Sequence, residues 1–302
     1  MLRKILLFLI FPCFIYGQDT TFDFGNISFS LSTKPMSEGY IYDISLGYMY
    51  TDRFFGDVLF RNTTIIKNDE FKEDFIEDSL LALDERTYQL YLLPFGFWRR
   101  NASTRFMAGV GLYYEHINLN EKGFFDAPYM ENYRVNSFTN EFLVHLVGPL
   151  FDLKFNYLSQ WFNIGFQTGI VPIFFLKAEQ KRGIIPLTEN IAEFSQQTSG
   201  SPYFYLGADI VLFKYVNVGL MYDVACLRYQ LLDLDNNGNW IHPELEIVNQ
   251  SFRVEASALI PISGDLMFQA GYGFIFNTIT TPTGDIKDNK NYLILSTRKL
   301  LL

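Results

Sequence analysis

The sequence predicts an all-β fold: a transmembrane up-and-down antiparallel β-barrel of about twelve strands, with short turns at one end and long loops at the other. Three observations lead there. Residues 40–50, YIYDISLGYMY, put Tyr40, Tyr42, Ile44, Leu46, Tyr48 and Tyr50 on one side of a period of two, with Asp43, Ser45 and Gly47 between them. On the apolar side tyrosines take the ends and aliphatics the middle, the order a bilayer imposes because aromatic rings with polar tips settle at headgroup level. The chain of 302 residues is 18% aromatic and 49% hydrophobic yet 19% charged, with mean hydropathy +0.06, as when apolar residues alternate with polar ones instead of clustering. Finally, tight connections alternate along the chain with long polar ones.

The N-terminus, MLRKILLFLIFPCFIYG, has the order of an export signal: basic Arg3 and Lys4, an apolar run from Ile5 to Tyr16, and small Gly17 ahead of Gln18. Lipidation at Cys13 is the alternative, but Phe11 and Pro12 before it are not the small residues such a site prefers. Beyond residue 17 no run reaches the 18 or so apolar residues of a membrane helix, so any crossing uses strands. Without Arg3 and Lys4 the chain keeps 22 basic residues against 33 acidic ones, a net charge of −11 that argues against nucleic acid as a partner. Cys226 is then the one remaining cysteine, so no intrachain disulfide is expected.

Tight connections are read at 50–53, 99–103, 158–161, 213–215 and 262–265, and long ones at 67–86, 118–137, 178–201, 233–246 and 280–289. Strands placed between them fall near 22–33, 39–50, 53–66, 86–98, 103–117, 139–158, 161–178, 202–213, 215–231, 246–260, 264–280 and 290–302. Residues 18–302 form one domain, since no linker or shift in composition interrupts the pattern.

Several further strands declare a lipid face. Phe106, Ala108, Val110, Leu112 and Tyr114 alternate with Arg105, Met107, Gly109, Gly111 and Glu115; Val216, Val218, Leu220, Tyr222 and Val224 with Asn217, Gly219, Met221 and Asp223; Leu266, Phe268, Ala270, Tyr272, Phe274 and Phe276 with Gln269, Gly271, Gly273 and Asn277. In the sixth strand Phe142, Val144 and Leu146 are apolar at even positions but Phe151, Leu153, Phe155 and Tyr157 at odd ones, which predicts a bulge at Gly148-Pro149. A similar switch is read near Asn26, while 88–98 and 291–302 do not declare a face.

The inward set defines the first candidate site: Asp43, Asp57, Arg61, Arg105, Glu115, Asp152, Lys154, Asp209, Asp223, Arg253 and Glu255. Charges on a membrane strand survive where they meet water or one another. They are either ion pairs filling a narrow barrel or the lining of a water-filled pore for small hydrophilic solutes.

The second candidate is DLDNNGNWIHPE at 233–244, which satisfies the spacing of a calcium loop: Asp233, Asp235 and Asn237 supply oxygens, Gly238 the turn, and Glu244 a bidentate carboxylate. It resembles the EF-hand loop over these twelve residues alone, with strand-like flanks and Pro243 at position eleven; the alternative is ordinary hairpin turn chemistry. No other cofactor is implied. Within the first long connection, Phe71, Phe75, Ile76, Leu80 and Leu83 fall at helical spacing, which predicts a helix over 69–83 as a lid or a surface helix; 186–195 is a weaker helical stretch. Three histidines, His116, His145 and His242, with no nucleophile motif and no Cys/His metal spacing, predict a protein that is not an enzyme.

Across almost all of residues 18–302 these patterns resemble the bacterial outer-membrane β-barrel superfamily, in particular its single-barrel members. The resemblance implies residence in the outer membrane, lipid as surroundings and the outer-membrane assembly machinery as a partner. It departs from the family at its end, Lys299-Leu300-Leu301-Leu302, where such barrels usually carry an aromatic residue. Two functions are compatible with it: a passive channel for small hydrophilic solutes, and a plugged barrel serving as a surface-exposed structural or adhesive protein. A soluble exported barrel is the third reading, and it would have to bury its outward aromatic residues by oligomerising.

Overall fold

The computed structural model describes residues 27–49, 53–68, 79–101, 103–126, 135–185, 191–200, 202–230, 233–234, 239–263, 266–281 and 284–299. The export signal and the parity switch near Asn26 fall outside them. Twelve strands follow one another: β1 (Ile27–Met36), β2 (Gly39–Met49), β3 (Phe54–Asn68), β4 (Ser79–Arg100), β5 (Thr104–Asp126), β6 (Val135–Leu158), β7 in two halves (Phe162–Val171 and Phe174–Ile185), β8 in two halves (Ile191–Gly200 and Tyr203–Leu212), β9 (Val216–Gln230), β10 (Glu244–Ser263), β11 (Leu266–Thr281) and β12 (Gly284–Lys299). Each pairs antiparallel with the next, and β12 returns to β1 with Phe29 opposite Lys299 and Met36 opposite Tyr292. Closure leaves no terminal edge strand to be guarded.

The wall partitions its side chains inside out. Tyr42, Ile44 and Leu46 of β2, Phe106, Val110 and Leu112 of β5, Val216 and Leu220 of β9, and Tyr272, Phe274 and Phe276 of β11 are all exposed on the outside. Between them Asp43 and Arg61 lie inside at 9% and 8% exposure. From Phe106 to Tyr114 the apolar face of β5 runs about 26 Å along the strand, or roughly 20 Å along a barrel axis tilted about 40° from it, most of the height of a membrane barrel's apolar band.

Several connections are shorter than the sequence suggested. The described residues of the segments read as loops at 67–86, 118–137, 178–201 and 280–289 are strand: Lys67 pairs with Leu83, Phe124 with Ser137, Gly183 with Ile191 and Thr281 with Gly284. Polar composition marks where the lipid ends, while the ladder continues into water because its hydrogen bonds need no apolar side chains. The 23-residue β5 and 24-residue β6 thus run about twice as far as the bilayer requires. The helix expected over 69–83 is not formed where it can be seen. Ser79 to Leu83 belong to β4, with Leu83 opposite both Lys67 and Glu121, and residues 69–78 lie outside the described residues. Ala82 and Leu83 pair with both neighbouring strands and Ser79 and Leu80 with β5, which supplies backbone partners that a short isolated helix holds only weakly. Ile191 to Ser195 of the second helical stretch are likewise strand.

The expected bulge at Gly148-Pro149 is absent. β6 stays in register with β5 from Thr104 opposite Tyr157 to Asp126 opposite Val135, and its even residues point inward throughout. The parity switch is in β7, where four residues, Val171 to Phe174, face the three β6 residues between Val147 and Phe151. Pro172, which has no N–H to donate, sits at that break. Around it Val171 and Phe174 are buried while Ile173 and Phe175 are exposed. The two undeclared strands resolve similarly. β4 changes parity at a register shift between Leu92 and Phe95, and β12 puts Tyr292, Ile294 and Ser296 inside with Leu293 and Leu295 outside.

Candidate functional site: the barrel interior

Twelve strands about 4.8 Å apart and tilted about 40° close a cylinder roughly 24 Å across. Long side chains from facing walls can therefore meet, and here they do. At the turn end Lys154 Nζ donates to Asp57 Oδ2 at 2.7 Å and lies 3.6 Å from Asp152 Oδ2. Asp152, 1% exposed, also accepts from Gln167 at 3.0 Å and from the Tyr205 hydroxyl. Higher up, Arg61 grips Asp43 through Nε at 2.6 Å and a terminal nitrogen at 3.3 Å. Lys34 bridges Asp43 at 3.2 Å and Glu255 at 2.8 Å, and the Tyr292 hydroxyl donates to Glu255 at 2.7 Å. Arg253 pairs with Asp223 at 2.9 Å.

Rings complete the layer. The hydroxyls of Tyr91 and Tyr203 are 3.1 Å apart although β4 and β8 are four strands distant around the wall, so this contact is a chord across the lumen. Tyr113 stacks on Tyr203 with centroids 5.2 Å apart and donates to Glu115 at 2.9 Å, while Gln89 donates to the same carboxylate. Toward the other end Val144, Leu146, Leu150, Val171, Phe174, Leu176 and Ala178 form an apolar cluster, all at 4% exposure or less. Small residues make space for the rings: a Cβ at Gly169 would come within 2.2 Å of Tyr205, and one at Gly273 within 2.4 Å of Tyr292.

Of the eleven candidates, Asp43, Asp57, Arg61, Asp152, Lys154, Asp223, Arg253 and Glu255 thus join buried ion pairs, and Glu115 joins the Gln89–Tyr113 group. Arg105 and Asp209 are at the turn end, Arg105 5.8 Å from the Trp98 ring and Asp209 beside Gly165 and Asn156. The sequence reading misses Lys34, which falls just past the strand read at 22–33, and, being confined to charges, misses Tyr91, Tyr113, Tyr203, Tyr205 and Tyr292. Parity would have found them: Lys34 continues the inward series Ser28, Ser30, Ser32, and Tyr203 and Tyr205 share the face of Asp209. A cavity of about 410 Å³ remains on the turn side of this layer, with Asp57, Arg61, Lys154, Tyr91, Gln167 and Tyr205 in its walls.

The histidines lie elsewhere. His116 and His145 face each other on the outer surface, ring centroids 4.6 Å apart, with the Tyr114 hydroxyl 3.0 Å from His145 Nδ1. In the 233–244 segment Asp233 pairs with Ile241 and Glu244 with Gln230; Asp235 and Asn237 lie outside the described residues.

A closed wall that is greasy outside and ionic within has one solvent that suits it, a bilayer, because water outside would leave the apolar belt bare. This is the fold of an outer-membrane β-barrel. No family model matches the chain, and no curated protein does. Among solved structures it is similar to the toluene transporter TodX of Pseudomonas putida, at 10% identity and TM-score 0.49 over 91% of this chain and 89% of that one. It is also similar to the translocator domain of the autotransporter NalP from Neisseria meningitidis, at 8% identity and TM-score 0.48 over 98% and 95%. The outer-membrane protease OmpT from Escherichia coli matches at 9% identity and TM-score 0.32 over 91% and 92%. A membrane-spanning barrel of this build owes its properties to what fills it.

Proposed function

We propose that the chain is a filled, non-catalytic barrel of the bacterial outer membrane, delivered by an export signal and the barrel-assembly machinery. Its function lies in the sheet it raises above the membrane, where β4 to β8 stand as a surface for structural or adhesive contact. The observation that carries this reading is the Tyr91–Tyr203 contact across the lumen, flanked by the Lys34, Arg61 and Arg253 ion pairs. A passive channel for hydrophilic solutes is the second reading. The 410 Å³ cavity favours it as a vestibule, but passage requires the ring layer to part. Purified protein in a planar bilayer is expected to be electrically silent, and stepwise conductance of the unaltered chain would transfer the proposal to the channel. Calcium in the 233–244 loop stands as a separate proposal, tested by calorimetric titration of the full chain against Asp235→Ala.

A further inference from the structure

The hollow on the turn side of the ring layer exists because short inward residues fall in register. Ser28 lies opposite Gly47 and Ser30 opposite Ser45, two successive inward pairs of β1 and β2. One pair further up, Ser32 faces Asp43, and there Lys34 and Arg61 fill the space. From the facing walls Lys154, Gln167 and Tyr205 converge on Asp152 and do not reach the serines, so about 410 Å³ stays open between them. Arg61 and Tyr91 border its upper side, beneath the Tyr91–Tyr203 contact, while Ser28 and Asp57 border its lower end near the turn that joins β2 to β3. The hollow is thus a pocket with one closed end, of a size at which small molecules bind, about 300–1,000 Å³.

Its lining sorts into hydroxyls, matched charges and an apolar side. Among the described residues the Ser28 and Ser45 hydroxyls have no hydrogen-bond partner, and that of Ser30 has only the Ser296 hydroxyl, at 3.5 Å. Asp57 accepts from Lys154 through Oδ2, which leaves Oδ1, on the side of Gly47, as an acceptor. Arg61 binds Asp43 through Nε and one terminal nitrogen and has the other to donate. Leu59, Leu93 and Met221 supply the apolar side. The charges already have counterparts: Lys154 lies between Asp57 and Asp152, Arg61 rests on Asp43, and Lys299, the remaining cation of the lining, is engaged as well. An ion of either sign entering would leave a charge uncompensated in a largely buried place. A neutral molecule with many hydroxyls would instead exchange its hydrogen bonds to water for equivalent ones here, with its C–H groups against the leucines and the methionine.

We propose that this pocket is a binding site for a small, neutral, polyhydroxylated molecule, of the kind that one or two linked sugar rings make, entering from the turn end. Its hydroxyl edge meets Ser28, Ser45 and Asp57, and its C–H face lies on Leu59, Leu93 and Met221. The closed upper end rests on the filled-barrel reading; the binding itself does not.

The test is saturation-transfer difference NMR on the full chain in micelles of dodecyldimethylamine oxide, a detergent with neither sugar nor aromatic protons, using D-glucose and maltose as probes. Saturation of the protein's aromatic protons should reach the ring protons of at least one sugar, and excess sodium acetate or glycine should not displace it. Ser45→Leu fills the hollow without touching an ion pair and should abolish the transfer; Ser28→Leu does the same from β1 and serves if the first variant does not fold. Absence of transfer to both sugars, transfer undiminished in a folded variant, or displacement by acetate or glycine overturns the site. Conductance of the same protein in a planar bilayer separates the two readings. Sugar transfer with a silent bilayer supports a pocket closed at its upper end, while stepwise conductance overturns that closed end and the filled-barrel reading with it, whatever the sugars do.

Discussion

Inside the barrel single side chains matter because each is held by partners on distant strands. Asp43 is the clearest case, bound by both Arg61 and Lys34 at 9% exposure. Removing one member of a buried pair leaves the other charged and unmatched, which typically costs about 3–5 kcal/mol, whereas removing both is far cheaper. Asp43→Asn should therefore lower the urea midpoint of the folded protein more than Asp43→Asn combined with Arg61→Gln; equal or greater loss in the double variant would show that the pair is not coupled. Gly169 is a second case, since its missing side chain is the space Tyr205 occupies on the way to Asp152. Gly169→Val should push that ring away and destabilise by about 1–3 kcal/mol. An unchanged unfolding midpoint would mean the ring has room to spare.

At the level of strands, what could be read from the sequence depended on whether the two faces differ in chemistry. β5, β9 and β11 alternate apolar with polar or glycine, and the faces read from them are those the structure has. β6 defeated the same rule because both its faces are apolar for different reasons: Phe151, Leu153 and Phe155 meet lipid, while Val144, Leu146 and Leu150 fill the interior. A period of two cannot say which apolar face is which, so the pattern points to a bulge in β6 although the extra residue belongs to β7. The long connections mislead in the opposite way, since polar sequence reads as loop where it is strand above the apolar belt. The interior charges were legible as a set, but the rings that bridge them were not, because a tyrosine suits a lipid interface as well as a lumen. Single cysteines along β6 check the corrected parity. Positions 143, 147, 151 and 153 should be quenched by lipid-borne nitroxide and 144, 146, 150 and 152 should not, with no crossover near Pro149; a reversal of the pattern there would restore the bulge to β6.

For the whole molecule, the wall and its contents are separable stabilities. The wall is held by a closed ladder of backbone bonds and by its apolar exterior, neither of which needs the interior side chains. The contents are ion pairs and rings whose removal should open the lumen before it unfolds the barrel. Tyr91→Ala, Tyr113→Ala and Tyr203→Ala together delete the ring layer that spans the lumen. The triple variant should still migrate differently with and without heating, as a folded barrel does, and should show stepwise conductance in a planar bilayer where the parent is silent. The pore so opened would be lined by Lys34, Arg61, Lys154 and Arg253 against Asp43, Asp57, Glu115, Asp152, Asp223 and Glu255, four cations facing six acids. Its reversal potential in a salt gradient should accordingly report preference for cations. A folded triple variant that stays silent would place the barrier in the Leu146–Phe174 cluster instead of the tyrosines, and one that loses its folded mobility would show that in this barrel the filling also holds up the wall.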